Sequence, residues 1–372
     1  VVEWGFKQGE SEMAENSKIE WTDHTVNFWW GCEKVHPGCA HCYAEAWSKR
    51  WGRRLWGPGS VRLKMDGAID TAHKLNRKAA KEGRRFLVFS ESMSDMFEDF
   101  RGEVVNKSNE VIGDSLDVLR REAFECIDAT PHLIWLVLTK RPENVRRMWP
   151  DIDEESELWF FNEEDQKARG LTHAGPHKGR LIRGNSERKN VWLGTSPCNQ
   201  ETADRSIPEL LKVRDLCGGT FLSCEPLLGG IDLRRVGKTL RGNDHDVMCG
   251  WEMSYRYKAR NPSEGSMGSY SWMTDDRIDW VIAGGESGPK ARPMHQDWVR
   301  GLRDQCQAAG VPFLFKQWGE HRPVGNRAPD GTLIDFVGME KVGKAAAGRT
   351  LDGREWNEFP AAFNRVDVTA SV

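Results

Sequence analysis

The chain has 372 residues, with 53 Lys and Arg against 56 Asp and Glu, a formal net charge of -3 and 29% charged residues. That length supports a self-sufficient core and excludes a small stapled scaffold, while the near-balanced charge excludes a protein that coats nucleic acid with a uniformly basic surface. Hydrophobic residues at 38% argue against global disorder; no apolar run reaches the ~18 to 20 residues of a membrane span and no leader pattern opens the chain, so a soluble, cytoplasmic protein with no membrane partner is expected.

Residues 1–16 are polar and aperiodic and read as an N-terminal extension; Met13 begins a more natural start, so 1–12 are given no function. From Ser17 the chain repeats a short apolar run, a polar or Gly-containing turn and a longer amphipathic stretch, the rhythm of βα units. Strands are predicted near Thr25–Trp30, then at Arg85–Phe89, Leu133–Leu138, Val191–Gly194, Thr220–Ser223, Trp280–Ala283 and Pro312–Phe315. Most are continuous apolar runs, as parallel strands buried on both faces require. Helices are predicted at Tyr43–Trp51, Leu116–Ala129, Pro142–Met148, Glu201–Val213 and Gln296–Ala309. Seven strands with intervening helices predict an α/β fold, a partial or complete (β/α) barrel of TIM type, with an open doubly wound sheet as the alternative. One domain over 17–360 is expected, followed by a tail at 361–372. Two excursions interrupt it: an acidic then basic segment near 151–189, read as a solvated surface insertion, and a Gly- and Ser-rich stretch near 236–273 with no strand or helix period.

Nine cysteines is an odd count and makes a disulfide framework a poor expectation in a chain this long. Three of them, Cys32, Cys39 and Cys42, stand in C-x6-C-x2-C spacing on a loop that carries Gly31, Pro37 and Gly38 and runs directly into a helix. Thiolates favour zinc, copper(I) or iron–sulfur clusters. Three protein thiolates would leave one iron of a cubane cluster open to a substrate or cofactor. A zinc site remains an alternative, because His36 and His41 lie inside the loop and either could complete a Cys3His set.

The frame N-x-x-x-G-C followed by C-x2-C-Y-A at Asn27–Ala44 resembles the cluster loop of radical S-adenosylmethionine (SAM) enzymes of the spore-photoproduct-lyase-like branch. More closely, I-E-W-T-D-H-T-x-N, G-C-x-K-V-x-P-G-C-x-x-C-Y-A-E and I-A-G-G-E-S-G-P-K-A-R-P-M-H resemble the phage-associated three-cysteine-motif family, a family of unsettled activity. The resemblance spans roughly Ser17 to Pro360 outside the excursions. It departs from the radical SAM pattern in a first spacing of six residues rather than three and in Phe28, which stands where a Pro is usual. What it implies is a [4Fe-4S] cluster held by Cys32, Cys39 and Cys42, with SAM on the fourth iron. Reductive cleavage driven by an external electron donor would then yield a 5′-deoxyadenosyl radical for hydrogen abstraction.

In βα barrels functional groups collect where strands end and loops begin. The second strand ends in a hydroxyl-rich segment, from which Ser92, Ser94 and Asp95 are expected to meet SAM, as the resemblance places a methionine contact there. Lys140 after the third strand suits a carboxylate or phosphate, and Ser196 after the fourth is a further SAM contact. Cys224 after the fifth is a candidate hydrogen donor to a substrate radical, and Glu286 after the sixth a candidate polar contact beside a close backbone approach at Gly285. The stretch from Tyr43 to Arg85 carries twelve Lys or Arg against four Asp or Glu, with Trp47, Trp51 and Trp56 interleaved, a candidate nucleic-acid face. The expected function is therefore a radical SAM enzyme that acts on nucleic acid, in repair or modification. The alternatives are a zinc-stabilised nucleic-acid-binding protein and a non-catalytic barrel scaffold.

Overall fold

The computed structural model describes residues 17–150, 187–237, 246–248, 277–326, 328–330 and 334–363, with the backbone of 255–257 and 268–270. Seven strands form the main sheet: β1 His24–Val26, β2 Phe86–Ser90, β3 Leu133–Thr139, β4 Arg188–Thr195, β5 Cys217–Cys224, β6 Trp280–Gly284 and β7 Phe313–Gln317. They lie side by side in chain order, each parallel to the next. A doubly wound sheet reverses its strand order at a switch point. No reversal occurs here, and the sheet curls into a half barrel with β1 and β7 as its edges.

With period-2 alternation, each strand feeds two cores. Phe86, Val88, Trp135, Val137, Val281, Phe313 and Phe315 pack outward into the larger cluster, together with apolar residues of the helices. Leu87, Phe89, Ile134, Leu136, Trp192, Phe221, Ile282 and Leu314 face inward, where Trp21 and Phe363 join them and Phe359 packs alongside. An open half barrel has no strands opposite its concave face, so segments from the two ends of the domain cover it. Phe363 thus belongs to the core at 2% exposed, while Ala361 and Ala362 before it are exposed.

The flanking helices are α1 Tyr43–Arg50, α2 Ala68–Glu82, α3 Asp117–Asp128, α4 Gln200–Leu211 and α5 Gln296–Ala309. Helix α4 opens with a capping box in which Asn199 accepts from Thr202 N at 3.0 Å. The expected helix at Pro142–Met148 is a 3-10 turn followed by one helical turn. Helix α2 was not expected: its buried stripe is Ala68, Ala72, Leu75 and Ala79, helical in spacing but mostly too small to register as an apolar face.

The expected first strand divides. After β1 the chain leaves the main sheet at Asn27, and Trp29–Trp30 enters a second sheet with Arg62–Lys64, Arg101–Val105 and Val111–Ser115. The first excursion ends sooner than expected, because Arg188 and Lys189 belong to β4; residues 151–186 lie outside the described residues. The second contains strand pairing that its composition hides, Tyr255–Tyr257 antiparallel to Gly268–Tyr270, and most of the rest lies outside the described residues.

Candidate functional site

A cavity of about 400 Å³ opens at the carboxyl ends of the strands. Cys32, Cys39 and Cys42 line it, as do Ser92, Ser94 and Asp95 after β2, Lys140 after β3, Ser196 after β4 and Glu286 after β6. Trp21, Phe89 and Leu138 supply apolar lining. Cys224 does not reach the cavity. In β5 Ser223 faces inward, so the next side chain turns outward, and Cys224 is fully buried in the helix-facing core. Burial pushes its thiol well above the ordinary value.

The cysteine loop is held from β2 by Asn27, whose buried amide Oδ1 accepts from Met93 N at 2.9 Å while its Nδ2 donates to Ser92 Oγ at 3.1 Å. Phe28 N donates to Glu91 Oε1 at 2.7 Å, and Tyr43 Oη donates to Ser92 O at 2.7 Å. Gly31, at φ 122°, lies where a Cβ would fall 2.7 Å from Leu55 O, so both its backbone angle and its packing require glycine. Ser92 and Ser94 therefore serve the wall as much as the cavity, since Ser94 donates to Glu91.

Two arginines grip the loop's own carbonyls. Arg141 Nη2 donates to Glu33 O at 2.8 Å, and its Nη1 donates to Asp95 Oδ2 at 2.9 Å and lies 3.7 Å from Cys32 Sγ. Asp95 also accepts from Thr139 Oγ1, Lys140 N and Phe97 N. Burial opposes its charge, but Arg141 and these donors outweigh burial and hold the carboxyl below its ordinary range. Asp95 is fully engaged in the wall. On the far side Arg292 Nη1 and Nη2 each donate to Pro37 O at 3.2 Å, while Nε donates to Glu286 Oε2 at 2.8 Å and Nη2 to Oε1 at 2.5 Å. Glu286 also accepts from Arg292 N at 2.8 Å. Burial again opposes the charge, and Arg292 overrides it to lower the Glu286 carboxyl. The close approach at Gly285 is to protein rather than to a ligand: a Cβ there would meet Trp318 O at 2.0 Å, which lets the loops after β6 and β7 pack backbone to backbone.

Asn27 and Arg292 sit inside the motifs quoted above without a role of their own, and Arg141, which follows Lys140 in a turn whose cationic character suits a carboxylate or phosphate, is here bound to protein groups. His36, a candidate fourth ligand, accepts from Gly38 N through Nδ1 at 2.9 Å and caps the turn Pro37–Cys39. Burial and the charge of Lys140 lower its pKa to about 3, so the ring is neutral. Lys140 Nζ donates to Ser196 Oγ at 3.4 Å, and among the described residues it forms no ion pair. Lys316, by contrast, is neutralised by both oxygens of Glu225 at 2.8 Å.

The three thiols are free and half-buried on one cavity, a donor set whose chemistry fits an iron–sulfur cluster. Among the described residues no three His, Cys, Asp or Glu side chains form a group that could hold a metal ion, so a cluster would have to draw the thiols together. Burial raises the Cys32 and Cys42 thiols as they stand, and a metal would have to displace those protons. Within Tyr43–Arg85, Arg62 is not available to a partner: it is 1% exposed and paired with Glu98 at 2.8 Å. Trp51 and Trp56 pack beside Trp30, and Trp47 is the indole left exposed, at 38%.

Fold and site together define a half-barrel α/β protein with a cysteine-bordered cavity at the carboxyl end of its sheet. The chain belongs to a family described as protein of unknown function (DUF5131), which matches residues 16–360. No curated protein and no solved structure matches it. No helix among the described residues is long and apolar enough to cross a membrane.

Proposed function

We propose that the protein is a radical SAM-type iron–sulfur enzyme, with Cys32, Cys39 and Cys42 as the ligands of a [4Fe-4S] cluster and SAM in the adjoining cavity. The observation that carries this reading is that the three cysteines and the ends of β2, β3, β4 and β6 border one cavity. When bound, the cluster would pass an electron from an external donor to SAM for its reductive cleavage. Lys140 and Ser196, adjacent and without a carboxylate partner among the described residues, would receive the methionine carboxylate. Trp21, Phe89 and Leu138 would keep water from the reacting end. Asp95 acts through Arg141 rather than on SAM. Cys224, buried away from the cavity, is left out of the chemistry.

Nucleic acid is the partner this reading favours. Arg50 and Arg54 are exposed in the same stretch as Trp47, guanidinium groups that can neutralise phosphates and an indole that can stack on a base.

Anaerobic reconstitution with iron and sulfide tests the assignment. The wild-type chain should bind a cluster, a Cys39→Ala chain should not load it, and the reduced protein should release 5′-deoxyadenosine and methionine. Full iron content in the Cys39→Ala protein would sink the ligand assignment. Uptake of zinc alone would return the zinc-stabilised binding protein, and a loaded protein that never cleaves SAM the scaffold. In the same preparations, oligonucleotide affinity that falls steeply with salt supports the nucleic-acid face, and weak, salt-insensitive binding removes it.

A further inference from the structure

We infer that Arg292, anchored by Glu286, is the positioning residue that holds the cysteine loop over the cavity from the far side of the half barrel. The inference deepens the proposed function, because the loop it holds carries the three thiols. Its basis is independent of any cluster.

The first two cysteines are separated by six residues, a span long enough to adopt many conformations unless it is tied down. Lys34 ties it to α1 through Glu45 at 2.6 Å, and two arginines from outside the loop hold its carbonyls. Arg141 takes Glu33 O, one residue after Cys32, from the β3 side. Arg292 takes Pro37 O, two residues before Cys39, from the loop after β6. β1 and β6 are not neighbours in the sheet, so the Arg292 contact joins its early and late strands across the cavity mouth, between residues 255 apart in sequence. Arg292 can reach across without an exposed, wandering guanidinium because both oxygens of Glu286, itself 6% exposed, fix its other edge. A planar fork of donors is required for this double duty, and an ammonium has no such geometry. Glu286 thereby serves the loop: both its oxygens accept from Arg292. The other donor to the Pro37 carbonyl is Ala40 N of the loop itself, at 3.2 Å, and among the described residues no group outside the loop besides Arg292 bonds to it.

The test begins on the full chain before cluster reconstitution, by measuring how fast iodoacetamide alkylates Cys39. Hydrogen bonds from a charged donor are strong enough that losing them should raise the opened population of the loop, and with it the Cys39 rate, about tenfold in Arg292→Ala. Arg292→Lys, which can still donate to Pro37 O, should give a smaller increase. Cys126, on the buried face of α3, serves as the control and should keep its rate in every variant. After reconstitution, Arg292→Ala should also alter the electron paramagnetic resonance spectrum of the reduced cluster, which a general loss of stability would not do. Should Arg292→Ala fail to fold, Glu286→Gln loosens the same anchor and should quicken Cys39 in its place. Equal Cys39 rates in wild type and in the folded variants would overturn the inference. If the rates respond but even the wild-type chain takes up no iron, the cluster reading fails and the positioning role stands.

Discussion

The two ends of the half barrel are built from opposite materials. Beneath the sheet's concave face, Trp280, Phe221, Phe359 and Phe363 pack edge to face or tilted, with ring centroids 5.3 to 6.0 Å apart where they meet Trp280. At the carboxyl end the walls are carboxylates, guanidinium groups and amides that bond one another and the cysteine loop. Trp21 is the boundary, touching Phe221 and Trp280 on one side and lining the cavity on the other. The difference teaches a division of labour. Aromatic packing needs no partner geometry and stabilises in proportion to area, whereas a polar wall stabilises less per group but sets positions closely.

That division predicts a sharp contrast between mutations. Trp280→Ala should cost about 3 to 5 kcal/mol of unfolding free energy, the usual loss when a large aromatic is removed from a core. Its indole Nε1 also donates to Glu358 O at 2.9 Å, so the segment that closes the concave face should loosen as well. Chemical denaturation measures the loss, and a change below ~1 kcal/mol would mean that the aromatic layer is covering rather than core.

At the polar end, Asp95→Asn should be milder, about 1.5 to 3 kcal/mol, because the neutral amide keeps the shape but gives up the charge-assisted bond to the Arg141 guanidinium. Glu98 Oε1 at 3.6 Å from Arg141 is a weaker substitute. The folded Asp95 carboxyl is held below its ordinary value, so its contribution is present above about pH 4 and is lost as pH falls through the lower folded value. Wild type and Asp95→Asn should therefore differ at neutral pH and converge in acid. A difference that is constant with pH would assign the effect to packing.

Much of the aromatic half was legible in the sequence and much of the polar half was not, for physical reasons. Runs such as Leu133–Leu138 and Trp280–Ala283 announce strands whatever their neighbours do, and α5 was expected at the bounds it has, with Gly310 in the left-handed conformation at its end. The same continuity hides the phase of the alternation, so nothing local says that Ser223 turns to the cavity and Cys224 to the helices. The second sheet was missed because its strands are two to five residues long and one of them reads Arg-Gly-Glu-Val-Val. The cysteines and the strand ends stood out because spacing and barrel topology mark them. The grip of Arg292 on Pro37 and of Asn27 on Ser92 did not, since each joins residues far apart in the chain and leaves no periodic trace.

A substitution expected to stabilise, opposite in sign to the two above, separates a neutral polar wall from a charged one. Glu91 follows β2 in the left-handed region at φ 63°, is 2% exposed, and accepts from Phe28 N and Ser94 Oγ. Burial raises its carboxyl to about 8, against these donors, which favour the charged form. Between the ordinary carboxyl value and about 8 the folded chain therefore keeps a proton that the unfolded chain has released. By linkage, stability from this group is full below the ordinary value and falls as pH rises toward 8. Glu91→Gln imitates the protonated acid: its Oε1 can still accept from Phe28 N, and its Nε2 can donate to the Ser94 hydroxyl. The variant should match wild type near pH 4 and exceed it increasingly from there to pH 8, with the backbone strain at φ 63° the same in both. Denaturation midpoints measured across that range decide the point. Parallel curves would mean that Glu91 is ionised in the folded chain, and that the wall behind the cysteine loop carries a buried negative charge rather than a neutral hydrogen-bonding acid.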